Sequence, residues 1–279
     1  MMPDPALLLV GHGSRSAAGV AEYWDFARVL ADRAPDVSLG CGFIELAEPD
    51  LDTAVDKLVA DGARSVVAVP LVLLGAGHMK NDGPAAMARG RLRHPGVAFA
   101  YGRDLGIHPL VLAVAEERIK QAVGDGDPAT TGVVLVSRGS SDPDANADLS
   151  KVARLLQDSR GLSIVEPAFV SLAPPDVATA IYRCRRLGAE RVVVVPYFLF
   201  TGILVDRIAE QARAAGASVG AHLGADIRIA DLVLERYREA AAGEARMNCD
   251  LCVYRSALPG YEGKVGIPLS VHSHHDHAH

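Results

Sequence analysis

Two histidines and a glutamate stand in this chain where a protein could hold a metal ion and move protons. His12 sits between two glycines in Leu7-Leu8-Leu9-Val10-Gly11-His12-Gly13-Ser14-Arg15. Glu45 lies in Phe43-Ile44-Glu45-Leu46-Ala47-Glu48-Pro49-Asp50, and His78 in Gly77-His78-Met79-Lys80-Asn81-Asp82. A neutral imidazole, with an ordinary pKa of about 6.5, offers a lone pair to a divalent cation or accepts a proton. Two imidazoles and one carboxylate resemble an open divalent-metal site, with coordination positions left for a further ligand.

The elements that must bring these residues together alternate between strand and helix. The apolar run ending at Gly11 reads as a buried strand of a parallel sheet, and ligands of such sheets bind beyond the carboxyl ends of the strands. Ala17 to Arg33 carries apolar residues at helical spacing, and Val37 to Ile44 reads as a second strand. Glu48-Pro49-Asp50 supplies a cap for a helix from Leu51 to Asp61, and Ser65 to Pro70 is a third strand. The glycine- and proline-rich stretch Gly75 to Pro84 reads as a polar loop, followed by a helix over Ala85 to Leu92. A strand at Val97 to Ala100 and a helix from His108 to Val123 complete the unit. His12, Glu45 and His78 thus fall at or past the ends of three strands. In a parallel sheet those ends lie on one side.

After the turn-rich linker 124–130 the pattern begins again at a constant offset of 126 positions. Phe169-Val170-Ser171-Leu172-Ala173-Pro174-Pro175-Asp176 repeats the Glu45 segment, and Val192 to Pro196 repeats Val66 to Pro70. The chain is therefore read as a tandem duplication. It comprises a first α/β lobe over 1–123, a second over 131–243, and a tail over 244–279. Each lobe is expected to be a mainly parallel sheet flanked by helices. The repeat is also an internal control. Leu46, Ala47, Pro49, Asp50, Gly62 and Pro70 recur, whereas His12 becomes Arg138, Glu45 becomes Ser171 and His78 becomes Leu204. Folding of the second copy does not need those three side chains, which argues that the first copy keeps them for function.

The His12, Glu45 and His78 motifs resemble those of the CbiX/SirB sirohydrochlorin chelatases, over roughly residues 6 to 243. The resemblance implies a two-lobed chelatase fold that binds sirohydrochlorin in the cleft between lobes. It implies insertion of Co²⁺ or Fe²⁺ (Ni²⁺ being a third suitable ion) without a nucleotide, in cobalamin or siroheme biosynthesis. By position, His12 and His78 match the family's metal-handling histidines and Glu45 its carboxylate, with a degenerate site in the second copy. Metallation strips water from the ion and removes two pyrrole protons, tasks that suit neutral imidazoles beside a carboxylate. Ligands that held the ion too tightly would oppose its transfer.

The family's substrate is a polycarboxylate, while the chain carries a formal net charge of −6. Local groups must therefore bind it, and Ser14, Arg15, Lys80, Arg138, Ser140 and Arg207 are the candidates. The acidic balance gives no support for a nucleic-acid partner. The absence of a long apolar run argues against a membrane span. Met1 to Pro5 has no basic segment of a secretory signal, and the chain is expected to be cytoplasmic.

The tail holds Met247-Asn248-Cys249-Asp250-Leu251-Cys252, and long CbiX proteins are similar in carrying an MxCxxC motif associated with an iron–sulfur centre. Cys249 and Cys252 are candidates for a soft metal or part of such a cluster. Cys41 and Cys184 lie in the repeats and are expected to be buried, so a cluster would need a second copy of the chain or non-cysteine ligands. His272, His274, His275, His277 and His279 form a metal-buffering candidate. Two other readings compete: a non-enzymatic metal-storage or delivery protein, and phosphoryl transfer through His12. Histidine phosphatases carry an arginine immediately before the histidine, where this chain has Gly11.

Overall fold

A computed structural model describes residues 4–159, 161–247 and 252–267. The first half runs β1 (Ala6–Gly11), α1 (Ala17–Arg33), β2 (Leu39–Phe43), α2 (Leu51–Ala60), β3 (Ser65–Pro70), α3 (Gly83–Arg93), β4 (Ala98–Tyr101) and α4 (Pro109–Val123). The second half runs β5 (Thr131–Ser137), α5 (Pro143–Ser159), β6 (Ile164–Phe169), α6 (Val177–Arg186), β7 (Arg191–Pro196), α7 (Ile203–Ala214), β8 (Ser218–Val219) and α8 (Ile227–Ala241). Two four-stranded sheets result, ordered β2-β1-β3-β4 and β6-β5-β7-β8, and every pairing is parallel. Among the described residues no helix is long and apolar enough to cross a membrane.

The central strands are apolar over most of their length because both of their faces are covered. All six residues of β1 are buried, and one face packs Leu8 and Val10 with Val66 and Ala68 of β3 onto Leu51, Val55 and Leu58 of α2. Burying each such leucine or valine side chain contributes about 1.5–3 kcal/mol. In the second sheet Val134, Val136, Val192 and Val194 pack with Val177, Ile181 and Cys184 of α6. Both copies start the next helix alike. Asp50 accepts from the Thr53 amide at 2.8 Å, and Asp176 from the Thr179 amide at 2.8 Å. These bonds satisfy amides that the first helical turn leaves without partners.

The compact units do not follow the repeat boundaries. The first takes Met1–Gly13, Ala34–Asp104 and Val233–His279; the second takes Ser14–Arg33 and Leu105–Leu232. Helix α1, although it follows β1 in the chain, belongs with the second unit, where Tyr23 and Phe26 meet Phe200 edge to face. Helix α4 likewise packs against β7. Apolar periodicity shows that a helix must bury one face but carries no address for its partner.

The stretch expected as a polar loop is partly helical. His78–Asp82 forms a π-helical turn that runs directly into α3, with the Gly83 amide donating to the His78 carbonyl. Glycines and a proline read as breakers, but Pro84 stands in the first turn of α3, where no amide is needed. Cys184 is fully buried as expected, whereas Cys41 is only half-buried.

Candidate metal centre

Three loops leaving the first sheet converge because their backbones are tied at the strand ends. The Ile44 amide donates to the Gly11 carbonyl, and the Glu45 amide donates to the His12 carbonyl at 3.1 Å. Gly13 makes this approach possible. Its φ is +95°, and a Cβ there would stand 1.7 Å from the Glu45 carbonyl oxygen. The second copy repeats the arrangement at Gly139, whose φ is +85° and whose Cβ would stand 2.0 Å from the Ser171 carbonyl oxygen. The loop geometry is thus common to both copies, and the side chains displayed on it are not.

In the first copy His12, Glu45 and His78 offer ligand atoms that all lie within 4.8 Å of one another. His12 Nε2 is 3.5 Å from Glu45 Oε1, and His78 Nε2 is 3.9 Å from the same oxygen. The two rings meet edge to face with centroids 4.8 Å apart. Ligand atoms about 2.1 Å from one tetrahedral ion stand about 3.4 Å apart, so the two nitrogen–oxygen distances are within about half an ångström of closing on a cation and the widest separation within about 1.4 Å. The Glu45 side chain is 11% exposed and the imidazoles 33% and 28%, so an ion held there would remain accessible. His12 Nδ1 faces the Gly13 carbonyl at 3.3 Å. A carbonyl only accepts, so the bond places the proton of a neutral ring on Nδ1 and leaves a lone pair on Nε2.

The His78 turn is braced from below. Asp104 accepts from the Gly75 amide at 2.8 Å, and burial raises its carboxyl above the usual range. Buried Arg236 on α8 donates to the Asp104 carbonyl at 3.0 Å and to Glu239 at 2.9 Å. Tyr101 closes the underside, its phenol buried beneath Gly83 with its pKa pushed up by burial and no hydrogen-bond partner among the described residues. His78 Nδ1 lies 2.5 Å from Asp82 Oδ2. The sequence offers the spacing of four between His78 and Asp82, but a stretch that reads as a polar loop gives that spacing no fixed geometry.

The substrate-binding candidates are distributed differently. Lys80 is half-buried on the π-helical turn beside His78. Ser14, Arg15, Arg138, Ser140 and Arg207 belong to the second compact unit. Arg15, Arg138 and Arg207 are exposed. The Ser14 hydroxyl accepts from the Ser16 amide at 3.0 Å and the Ser140 hydroxyl from the Asp142 amide at 2.9 Å, so both hydroxyls brace turns before helices. Cys252 is buried, and two residues on Tyr254 sets its hydroxyl where a Cβ on Gly77 would meet it at 3.1 Å. Cys249 and the tail residues His272, His274, His275, His277 and His279 lie outside the described residues.

Comparison with known proteins finds the family described as CbiX matching residues 6–122 and 132–240. The sirohydrochlorin cobaltochelatase of Priestia megaterium is 35% identical over 270 residues, covering 91% of this chain and 85% of that protein. The sirohydrochlorin ferrochelatase of Bacillus subtilis is 32% identical over 259 residues, covering 90% of this chain and 98% of that protein. A solved structure of SirB from Bacillus subtilis with Fe³⁺ is 31% identical, covers 86% of this chain and 96% of that one, and superposes with a TM-score of 0.77. With both repeats matched and relatives of this identity spanning most of its length, the chain belongs to the CbiX family.

Proposed function

We propose that this protein is a sirohydrochlorin chelatase whose reaction takes place at His12, Glu45 and His78. The observation that carries the reading is the convergence of His12 Nε2, His78 Nε2 and Glu45 Oε1. Two imidazole lone pairs facing one carboxylate oxygen repel one another unless a cation or protons lie between them. Three protein ligands leave coordination positions at which water can give way to pyrrole nitrogens. One divalent ion enters the macrocycle and two pyrrole protons leave. An imidazole released from the ion is a base of suitable strength for such a proton. Glu45, the least exposed of the three, offsets the ion's charge while it waits. Co²⁺ is the favoured cargo, because the tail with its CxxC resembles the long CbiX form, and Fe²⁺ is the second; relatives named for each metal match over about nine tenths of this chain.

Lys80, on the same turn as His78, is a candidate cation for a substrate carboxylate, with Ser14, Arg15, Arg138 and Ser140 as further candidates. The pair Cys249 and Cys252 would hold a soft metal or part of an iron–sulfur cluster, completed by a second copy or by non-cysteine ligands. Anaerobic addition of sirohydrochlorin and Co²⁺ or Fe²⁺, followed by the absorbance change of the macrocycle, tests the reading. Turnover that falls at least tenfold in His12→Ala and His78→Ala supports it. Tight metal binding with no change in the macrocycle would favour metal storage or delivery instead.

A further inference from the structure

Asp82 has been given no role so far, and its surroundings are specific. Its Oδ2 stands 2.5 Å from His78 Nδ1, its Oδ1 accepts from the Asn81 side-chain amide at 3.1 Å, and its side chain is 11% exposed. It stands at the N-cap of α3, yet its carboxylate makes no capping bond to that helix. Helix-surface pairs at the same spacing, such as Lys57–Asp61 and Arg154–Asp158, are largely exposed. The duplicated half adds an independent observation. At the offset where His78 becomes Leu204, Asp82 becomes Ile208, fully buried in the second core. The copy that has lost the imidazole has also lost the carboxylate.

We propose that Asp82 is a positioning residue that fixes His78 in the Nδ1-protonated tautomer, turning the Nε2 lone pair toward Glu45 and His12. This rests on His78 being a metal ligand as read above. A carboxylate can only accept, so the Nδ1 proton is held between ring and carboxylate, and Nε2 is left for the ion. His12 obtains the same result from the Gly13 carbonyl. Each ring thus has its own acceptor on the side away from the centre.

The neighbouring Asn81 makes the proposal sharply testable. In Asp82→Asn the new amide oxygen would keep the bond from Asn81 and turn its NH₂ toward His78 Nδ1. The ring nitrogen would then have to accept, the proton would move to Nε2, and the lone pair facing the metal would be lost. Asp82→Ala imposes no tautomer and leaves room for water. Cobalt affinity, read by titrating the protein with Co²⁺ alone and following visible absorption, should therefore fall about tenfold in Asp82→Ala and about a hundredfold in Asp82→Asn.

A purely structural or helix-dipole role predicts the opposite order, because asparagine is the better isostere. In the metal-free protein labelled with ¹⁵N-histidine, long-range proton–nitrogen spectra should show His78 protonated at Nδ1 in the wild type and at Nε2 in Asp82→Asn. The wild-type spectrum needs no variant to fold beyond one that identifies the His78 signal. A wild-type ring protonated at Nε2, or an Asp82→Asn protein binding Co²⁺ within twofold of wild type, would overturn the proposal. A His78→Ala protein that binds Co²⁺ as the wild type does would overturn the metal-site reading itself.

Discussion

Replacing Gly13 by alanine probes how the candidate metal centre is held. The backbone there has φ +95°, and the added Cβ would stand 1.7 Å from the Glu45 carbonyl oxygen. Ordinary contact begins at 3.4 Å, so the His12 and Glu45 loops must part by about 1.7 Å, or the Glu45 peptide must turn away. Backbone strain contributes about 1–3 kcal/mol and the forced separation a similar amount. At about 2–4 °C per kcal/mol for a chain of this size, the melting temperature should fall by at least about 5 °C. Metal binding should suffer more, since displacement by about 1 Å of groups that act together costs about a hundredfold. Gly139→Ala is the matched control. Its Cβ would stand 2.0 Å from the Ser171 carbonyl oxygen, but Arg138 and Ser171 occupy the places of His12 and Glu45 there. Calorimetry should show a comparable loss of stability in the two variants, and Co²⁺ titration should show weakened binding in Gly13→Ala alone. Wild-type cobalt affinity in Gly13→Ala, or equal loss in Gly139→Ala, would refute this account of the loop contact.

Three further outcomes follow from other parts of the molecule. Hydrogen bonds from the Thr53 side chain and amide hold the Asp50 carboxyl below its usual pKa, and Thr179 does the same for Asp176. A depressed folded pKa means stability present above the unfolded value of about 3.9 and lost as pH falls through the folded value. Asp50→Ala and Asp176→Ala should therefore each cost about 1 kcal/mol at pH 7 in denaturant titrations, with the gap closing as pH falls below the ordinary carboxylate value of about 3.9. Burial, with the charge of Glu166 second, pushes the Cys184 thiol up to about 12. At pH 8 only about one molecule in ten thousand would carry that thiolate, so mapped alkylation should spare Cys184 until the chain is unfolded. Removing residues 270–279 should leave turnover intact at high metal and lower it when metal is scarce; an equal effect at every metal level would contradict a buffering role for the tail.

How far the sequence could be read depended on whether a feature is local. Strand–helix alternation, the Asp50 cap and the duplicated segments around Pro49 and Pro175 are properties of short stretches, and each appears in the fold where its residues suggested. Gly77, Gly83 and Pro84 suggest a loop around His78 because such residues break helices by statistics, whereas the structure has a π-helical turn there and Pro84 in the first turn of a helix. Asp82 does not stand out in the sequence, because a stretch that reads as loop gives residues four apart no fixed geometry. Its closeness to Nδ1 and its burial set it apart, and both are tertiary facts.

The sequence by itself determined that two parallel α/β repeats form, and that only the first carries two histidines and a glutamate beyond its strand ends. Periodicity and the comparison of one half with the other need nothing but the order of residues. Only the tertiary structure decided that three ligand atoms 33 or more positions apart in the chain come within 4.8 Å, that α1 packs away from the strand it follows, and which acceptor each imidazole faces. The physical reason is that strand pairing and close approach at Gly13 set distances between loops, and such distances arise from packing among segments rather than from any one of them.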